Sequence, residues 1–205
     1  MARRLSLLVG PLALAALWID PASAHHLMGG RTPATFADGI LSGLGHPVIG
    51  LDHFAAVVAI GCLAATQRAG AMLAIGFVLA MIGGVAAHVH GTAVPGAEIM
   101  VALSVIVLGA LLLGRSPMPG NAALGLFVLT GLLHGYALGE SIYGAEPTPL
   151  AAYLIGLAAI QAGVALAAMG VARALQQRAA DLRLLGAGIA GIGLAVLMQQ
   201  IVPAA

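Results

Sequence analysis

The sequence has no lysine, one cysteine and little charge of either sign. Charged residues make up 7% of its 205 residues, where a water-soluble domain carries about a quarter. That shortage excludes an ordinary soluble fold. The eight basic residues are all arginines, scattered along the chain, so no basic patch exists for nucleic acid. A lone cysteine, Cys62, can form neither an internal disulfide nor a CxxC metal site. Inside an apolar run, it reads as a small packing residue. No HExxH pattern offers a zinc-bound water, and no P-loop offers an ATP site. No enzyme is expected.

What is present is apolar. Hydrophobic residues account for 61% of the chain, the mean hydropathy is +1.07, and 29 glycines are spread through it. In a membrane protein, glycine favours close helix packing. The pattern predicts an all-α, polytopic helical bundle.

The N-terminus has the three parts of a secretory signal. Arg3 and Arg4 supply the positive region, Leu5 to Ile19 the apolar stretch, and Ala22-Ser23-Ala24 a small-residue cleavage site. Residues 1–24 are therefore expected to be a signal peptide. Residues 25–205 would then form one six-helix transmembrane domain beginning at His25 and His26. The six segments run near Pro47–Thr66, Gly70–Ala87, Glu98–Gly114, Asn121–Leu138, Leu150–Val171 and Leu184–Val202. Each is about long enough to cross the hydrocarbon layer. An apolar lead-in starts at Gly39, and Pro47 is expected to kink or restart the first helix.

Cleavage would leave the mature N-terminus in the periplasm. The loops then alternate, and Arg68, Arg115, Arg173, Arg178 and Arg183 all fall on the cytoplasmic side, with only Arg31 outside. This agrees with the positive-inside rule and places the chain in a bacterial inner membrane.

Ionisable groups inside apolar spans are costly and therefore mark function. The first set is His46, Asp52 and His53. The two histidines stand seven residues apart, close to two turns, and would share a face of a continuous helix. Two imidazoles with one carboxylate suit a divalent metal such as nickel, cobalt or zinc, with the carboxylate either binding directly or orienting an imidazole. A hydrogen-bonded pair that locks two helices is the structural alternative. The second set is His134 and Glu140, with Gly135 and Gly139 forming a GxxxG face for close helix approach. His134 reads as a ligand or an interhelix hydrogen bond, and Glu140 as a ligand or a solvated helix-end carboxylate.

Two further sets are less committed. His88 and His90 alternate at a helix end, so they would share an ion only if the helix stopped there. His25 and His26 could chelate nickel or copper after cleavage, or form a frayed terminus. The alternating topology gathers His46, Asp52, His53, His88, His90, Glu98, His134 and Glu140 in the outer half. Gln161 reads as an interhelix hydrogen-bond partner. Met72, Met81, Met100, Met169 and Met198 read as packing. The six-residue step from His46 to Asp52 recurs from His134 to Glu140, which hints at inverted halves.

Gly45-His46-Pro47-Val48-Ile49-Gly50-Leu51-Asp52-His53 matches the HPxxGxDH motif of the HupE/UreJ family of nickel/cobalt transporters. Pro95-Gly96-Ala97-Glu98, then Ala102-Leu103-Ser104-Val105 and Leu108-Gly109, is similar to that family's third span. His134-Gly135-Tyr136-Ala137 matches the start of its HGxAHG motif, and a signal followed by six spans is its layout. The chain departs from the pattern at Leu138, where a second histidine is expected. Ser141 stands where the acidic residue belongs, with Glu140 one position early, and Gln161 stands in place of a fifth-span histidine.

The resemblance implies a permease moving Ni2+ or Co2+ from periplasm to cytoplasm for metalloenzyme maturation, with no tightly bound cofactor. Its metal-handling residues would be drawn from His46, Asp52, His53, His134, Glu140, His25, His26, His88 and His90. The implied partners are the metal ion, the lipid bilayer, and either a second copy of the chain or the maturation proteins of the metalloenzyme. An intramembrane haem- or metal-binding subunit without transport is the alternative reading, with His53 and His134 as paired haem ligands.

Overall fold

The computed structural model describes residues 31–114, 118–175 and 179–202. The signal-peptide reading and His25 and His26 lie outside them. The described residues are helical, with no strand among them. The helices are α1 (Phe36–Ile49), α2 (Leu51–Ala64), α3 (Gly70–Val89), α4 (Ala97–Gly114), α5 (Gly120–Gly139), α6 (Pro147–Ala174) and α7 (Ala179–Ile201), with a 3-10 turn at Glu140–Ile142 after α5.

Helices α3 to α7 are each long and apolar enough to span a bilayer. Their bounds fall within a few residues of the hydropathy segments, except that α7 starts five residues before Leu184. Prolines at the first turn of α6 lock its start without costing a hydrogen bond.

The first span departs from expectation. It is two helices of 14 residues each, roughly 21 Å apiece, and neither alone crosses a hydrocarbon layer of about 30 Å. They meet at 80°. Helix α1 starts on a capping box, in which Asp38 N–H donates to Thr35 Oγ1 at 3.1 Å and Thr35 N–H donates to Asp38 Oδ2 at 3.0 Å. It runs through Pro47 and stops at Gly50, whose backbone is extended at φ −71°, ψ 102°. The break therefore falls three residues after the proline. Pro47 removes one helical hydrogen bond, but the chain turns only at Gly50, where no side chain opposes the turn.

Three seams of small residues assemble the bundle. Helix α1 crosses α6 at Gly39 and Gly43, where a β-carbon would collide with the carbonyls of Pro149 and Tyr153. Helix α2 continues along α6, with Gly61 against the Ala165 carbonyl. Helix α3 packs on α5 through Gly84, Gly131 and Gly135, and α4 on α7 through Gly109, Gly186 and Gly193. Such close approach is how helices gain attraction where lipid is as apolar as the core. The GxxxG face at Gly135 and Gly139 is thus used, with α3 as its partner. Gly139 rests on the His88 side chain.

Large apolar side chains face outward on most helices, including Leu79, Leu129, Ile155 and Leu194, the surface a bilayer requires. Met81 and Met169 pack inside as expected, whereas Met72 and Met198 point outward. Cys62 is buried in the core against α6, with Sγ 4.0 Å from the Ala168 carbonyl oxygen.

Candidate metal-handling site

The break between α1 and α2 carries the polar residues inward. His46 lies in the last turn of α1, and Asp52 and His53 lie in the first turn of α2. All three are buried. The expected shared face of a continuous helix does not exist, because the two histidines stand on opposite sides of the bend. The break instead gives Asp52 a new helix N-terminus. Its Oδ1 accepts the His53 backbone N–H at 2.8 Å, one of the donors that a helix start leaves without a partner. The positive end of the α2 dipole favours the carboxylate.

Gly50 matters for close approach. A β-carbon there would lie 2.9 Å from His53 Cδ2 and 3.3 Å from Asp52 Oδ1. Both side chains therefore border the bare glycine at the bend.

His53 reaches across to α5. Its Nδ1 is 2.8 Å from Nδ1 of His134, and the rings meet edge-on with centroids 5.0 Å apart. Two nitrogens on opposite sides of one ion would stand apart by roughly twice a metal–nitrogen bond of about 2 Å. At 2.8 Å they share a hydrogen bond instead. On its other side, His134 Nε2 is 2.8 Å from Ser104 Oγ on α4, and that hydroxyl donates to the Val101 carbonyl at 2.7 Å. His134 is fully buried, and both of its ring nitrogens are engaged. The chain Val101–Ser104–His134–His53 thus ties α4, α5 and α2 together.

Ser104 is the residue that sequence reasoning passed over as a site member. Its signal was there: it is the only side-chain hydroxyl in α4. Among the described residues, no three His, Cys, Asp or Glu side chains are arranged to hold one ion.

The remaining candidates lie apart. Glu140 is exposed beyond the end of α5. His90 is exposed at the end of α3, where its Nδ1 bonds the Ala86 carbonyl of its own last turn at 2.8 Å. His88 points elsewhere, packing its ring on Tyr136 with centroids 4.6 Å apart and near Tyr143 at 5.7 Å. The two histidines do not converge. Tyr136 also pins the α3–α4 connection, donating to the Thr92 carbonyl at 2.8 Å and accepting from Val94 N–H at 3.1 Å. Gln161 is fully buried on α6, and neither end of its amide has a hydrogen-bond partner among the described residues. The expected interhelix hydrogen bond is thus absent among the described residues.

The family profile described as HupE / UreJ protein matches residues 12–196, nearly the whole chain. The chain belongs to the HupE/UreJ family. One relative, described as Protein HupE of Rhizobium leguminosarum bv. viciae, is 38% identical over 128 residues, covering 62% of this chain and 64% of that protein. The match thus spans less than two thirds of the relative's length. No solved structure matches.

Within this HupE/UreJ chain, two of the departures from the family motif, Leu138 and Ser141, form a small network with Tyr153. Leu138 is fully buried, and its carbonyl accepts hydrogen bonds from Tyr153 O–H at 2.8 Å and Ser141 O–H at 2.9 Å. Ser141 Oγ also lies 3.3 Å from the Tyr153 hydroxyl. These hydroxyls close the end of α5 onto α6.

Proposed function

We propose that the chain is an inner-membrane permease that takes a divalent transition metal, nickel or cobalt, from the periplasm to the cytoplasm for maturation of a metalloenzyme. Its family is linked to nickel and cobalt uptake for hydrogenase and urease. The observation that carries the reading is the broken first span, which sets Asp52, His53 and His46 inside a mainly apolar bundle. Broken helices in transporters place polar groups and free backbone ends near the membrane midplane, where ions bind in transit.

The ion enters from the periplasmic ends of the helices and meets His53 and Asp52 at the bend, with His46 on the facing helix. A transit site differs from a resident one. It holds the ion weakly enough to release it, and it completes its ligand set as the helices shift. The glycine seams allow such sliding. The other metal candidates, His88, His90, Glu140, His25 and His26, serve capture at the periplasmic face in this scheme.

The haem alternative fits the site less well. Two axial histidines need an iron between them, and His53 and His134 touch directly. The test is uptake of radioactive nickel and cobalt by cells expressing the wild type, Asp52→Asn and His134→Ala at matched membrane levels. Wild-type uptake that collapses in both variants supports the permease. Absence of uptake of either ion in correctly inserted wild type overturns it and leaves a metal-binding subunit without transport.

A further inference from the structure

The hydrogen bonds behind His53 determine where its proton sits. The chain starts at the Val101 carbonyl, which can only accept. Ser104 O–H donates to it across 2.7 Å. A hydroxyl has one proton, so towards its second partner, His134 Nε2 at 2.8 Å, Ser104 Oγ acts as acceptor. His134 therefore carries its proton on Nε2. A neutral imidazole has one N–H, so His134 Nδ1 accepts. The 2.8 Å contact to His53 Nδ1 then requires that His53 donate. This assignment of protons follows from the network. It leaves His53 as the Nδ1–H tautomer, with the lone pair on Nε2. The ring carbon next to that nitrogen, Cδ2, borders Gly50 at the helix break, where Asp52 Oδ1 also borders it.

We propose that Ser104, acting through His134, sets the tautomer of His53 so that His53 meets the cargo ion through Nε2, and that His134 is a positioning residue rather than a ligand. This rests on the permease reading of the same site. The physical reason is economical. His134 cannot coordinate an ion without giving up one of its two hydrogen bonds, and a buried polar atom left bare is costly. His53 gives up nothing, because among the described residues its hydrogen bonds use the backbone N–H and Nδ1, not Nε2. A hydrogen bond on the far ring nitrogen also makes the ligating nitrogen a stronger base.

The test uses purified full-length protein in detergent micelles, labelled with 15N-histidine. Imidazole 15N shifts distinguish the two tautomers, and His53→Asn identifies the His53 signals. The expected result is Nδ1–H for His53 in the wild type, a mixture of tautomers in Ser104→Ala, and recovery of the wild-type state in Ser104→Thr, which restores the hydroxyl. Nickel affinity of the same samples, measured by calorimetry, should fall about tenfold in Ser104→Ala and recover in Ser104→Thr, the low end of the effect of outer-shell partners. A wild-type His53 protonated on Nε2 overturns the proposal. So does a Ser104→Ala protein whose His53 tautomer and nickel affinity are unchanged. Loss in both serine variants overturns it too, since it shows a packing effect. If nickel binds as expected but cells take up none, the permease reading fails while the tautomer assignment stands.

Discussion

The two histidine motifs share a spacing and differ in structure. His46 precedes Asp52 by six residues, and His134 precedes Glu140 by six. In the first, the helix breaks at Gly50, and the carboxylate falls in the first turn of a new helix, buried. In the second, the helix continues through Gly135 and Gly139, and the carboxylate falls past its C-terminal end, exposed. A helix start offers free N–H groups and a positive dipole end; a helix end offers neither. The same sequence step therefore yields a buried carboxylate in one half and a solvated one in the other. What decides is the direction of the helix end beside it.

The comparison is most directly broken at the bend. Gly50→Val forces a branched side chain against His53 and Asp52 while leaving the α3–α5 and α4–α7 seams intact. Nickel uptake should fall about a hundredfold, the upper range for disturbing the support of a metal site, at normal membrane levels. Uptake by intact cells checks this, and near-normal uptake would show that the close approach is dispensable. Asp52→Asn keeps the shape and removes the charge. It should lose about tenfold in uptake, and an unchanged rate would reduce Asp52 to a helix cap.

In the second motif, the expected failure is of packing. Gly135→Leu drives a side chain into the Met81 carbonyl region of α3, and overpacking of this kind costs about 1–3 kcal/mol. A lower melting temperature in detergent is the readout. Gln161→Leu removes a buried amide without a partner and should raise stability, by up to about 1–3 kcal/mol. A drop in uptake with unchanged stability would instead mark Gln161 as part of the ion's path. The smallest effect is expected at Glu140. As an exposed carboxylate, its change to Gln should stay within about 0.5 kcal/mol in stability and leave uptake near wild type. A collapse comparable to that of Asp52→Asn would erase the contrast between the two motifs.

Much of the fold was legible in the chain. The bounds of α3, α4 and α5 follow the hydropathy because a span must be apolar along its whole length. The first span was expected to kink or restart at Pro47 and breaks at Gly50 instead; hydropathy adds up composition and is blind to direction. Gly50 sits among apolar neighbours, so an 80° turn leaves the sum unchanged. Pro47 attracted attention as the stronger helix breaker, yet α1 passes through it. The candidate site was half legible. His46, Asp52, His53 and His134 stood out as ionisable groups in apolar runs. Ser104 did not, because one hydroxyl in a span costs little and signals little.

By itself the sequence determined that this chain is a bundle of apolar helices carrying a few imidazoles and carboxylates. Those properties are set by residue type along each segment, and in lipid a helix satisfies its backbone hydrogen bonds within the segment itself. Only the tertiary structure decided that His53 pairs with His134 across 81 positions, that Ser104 stands behind them, and that Gln161 has no partner among the described residues. Those outcomes depend on which glycine seams bring which helix faces together, and no local pattern encodes them.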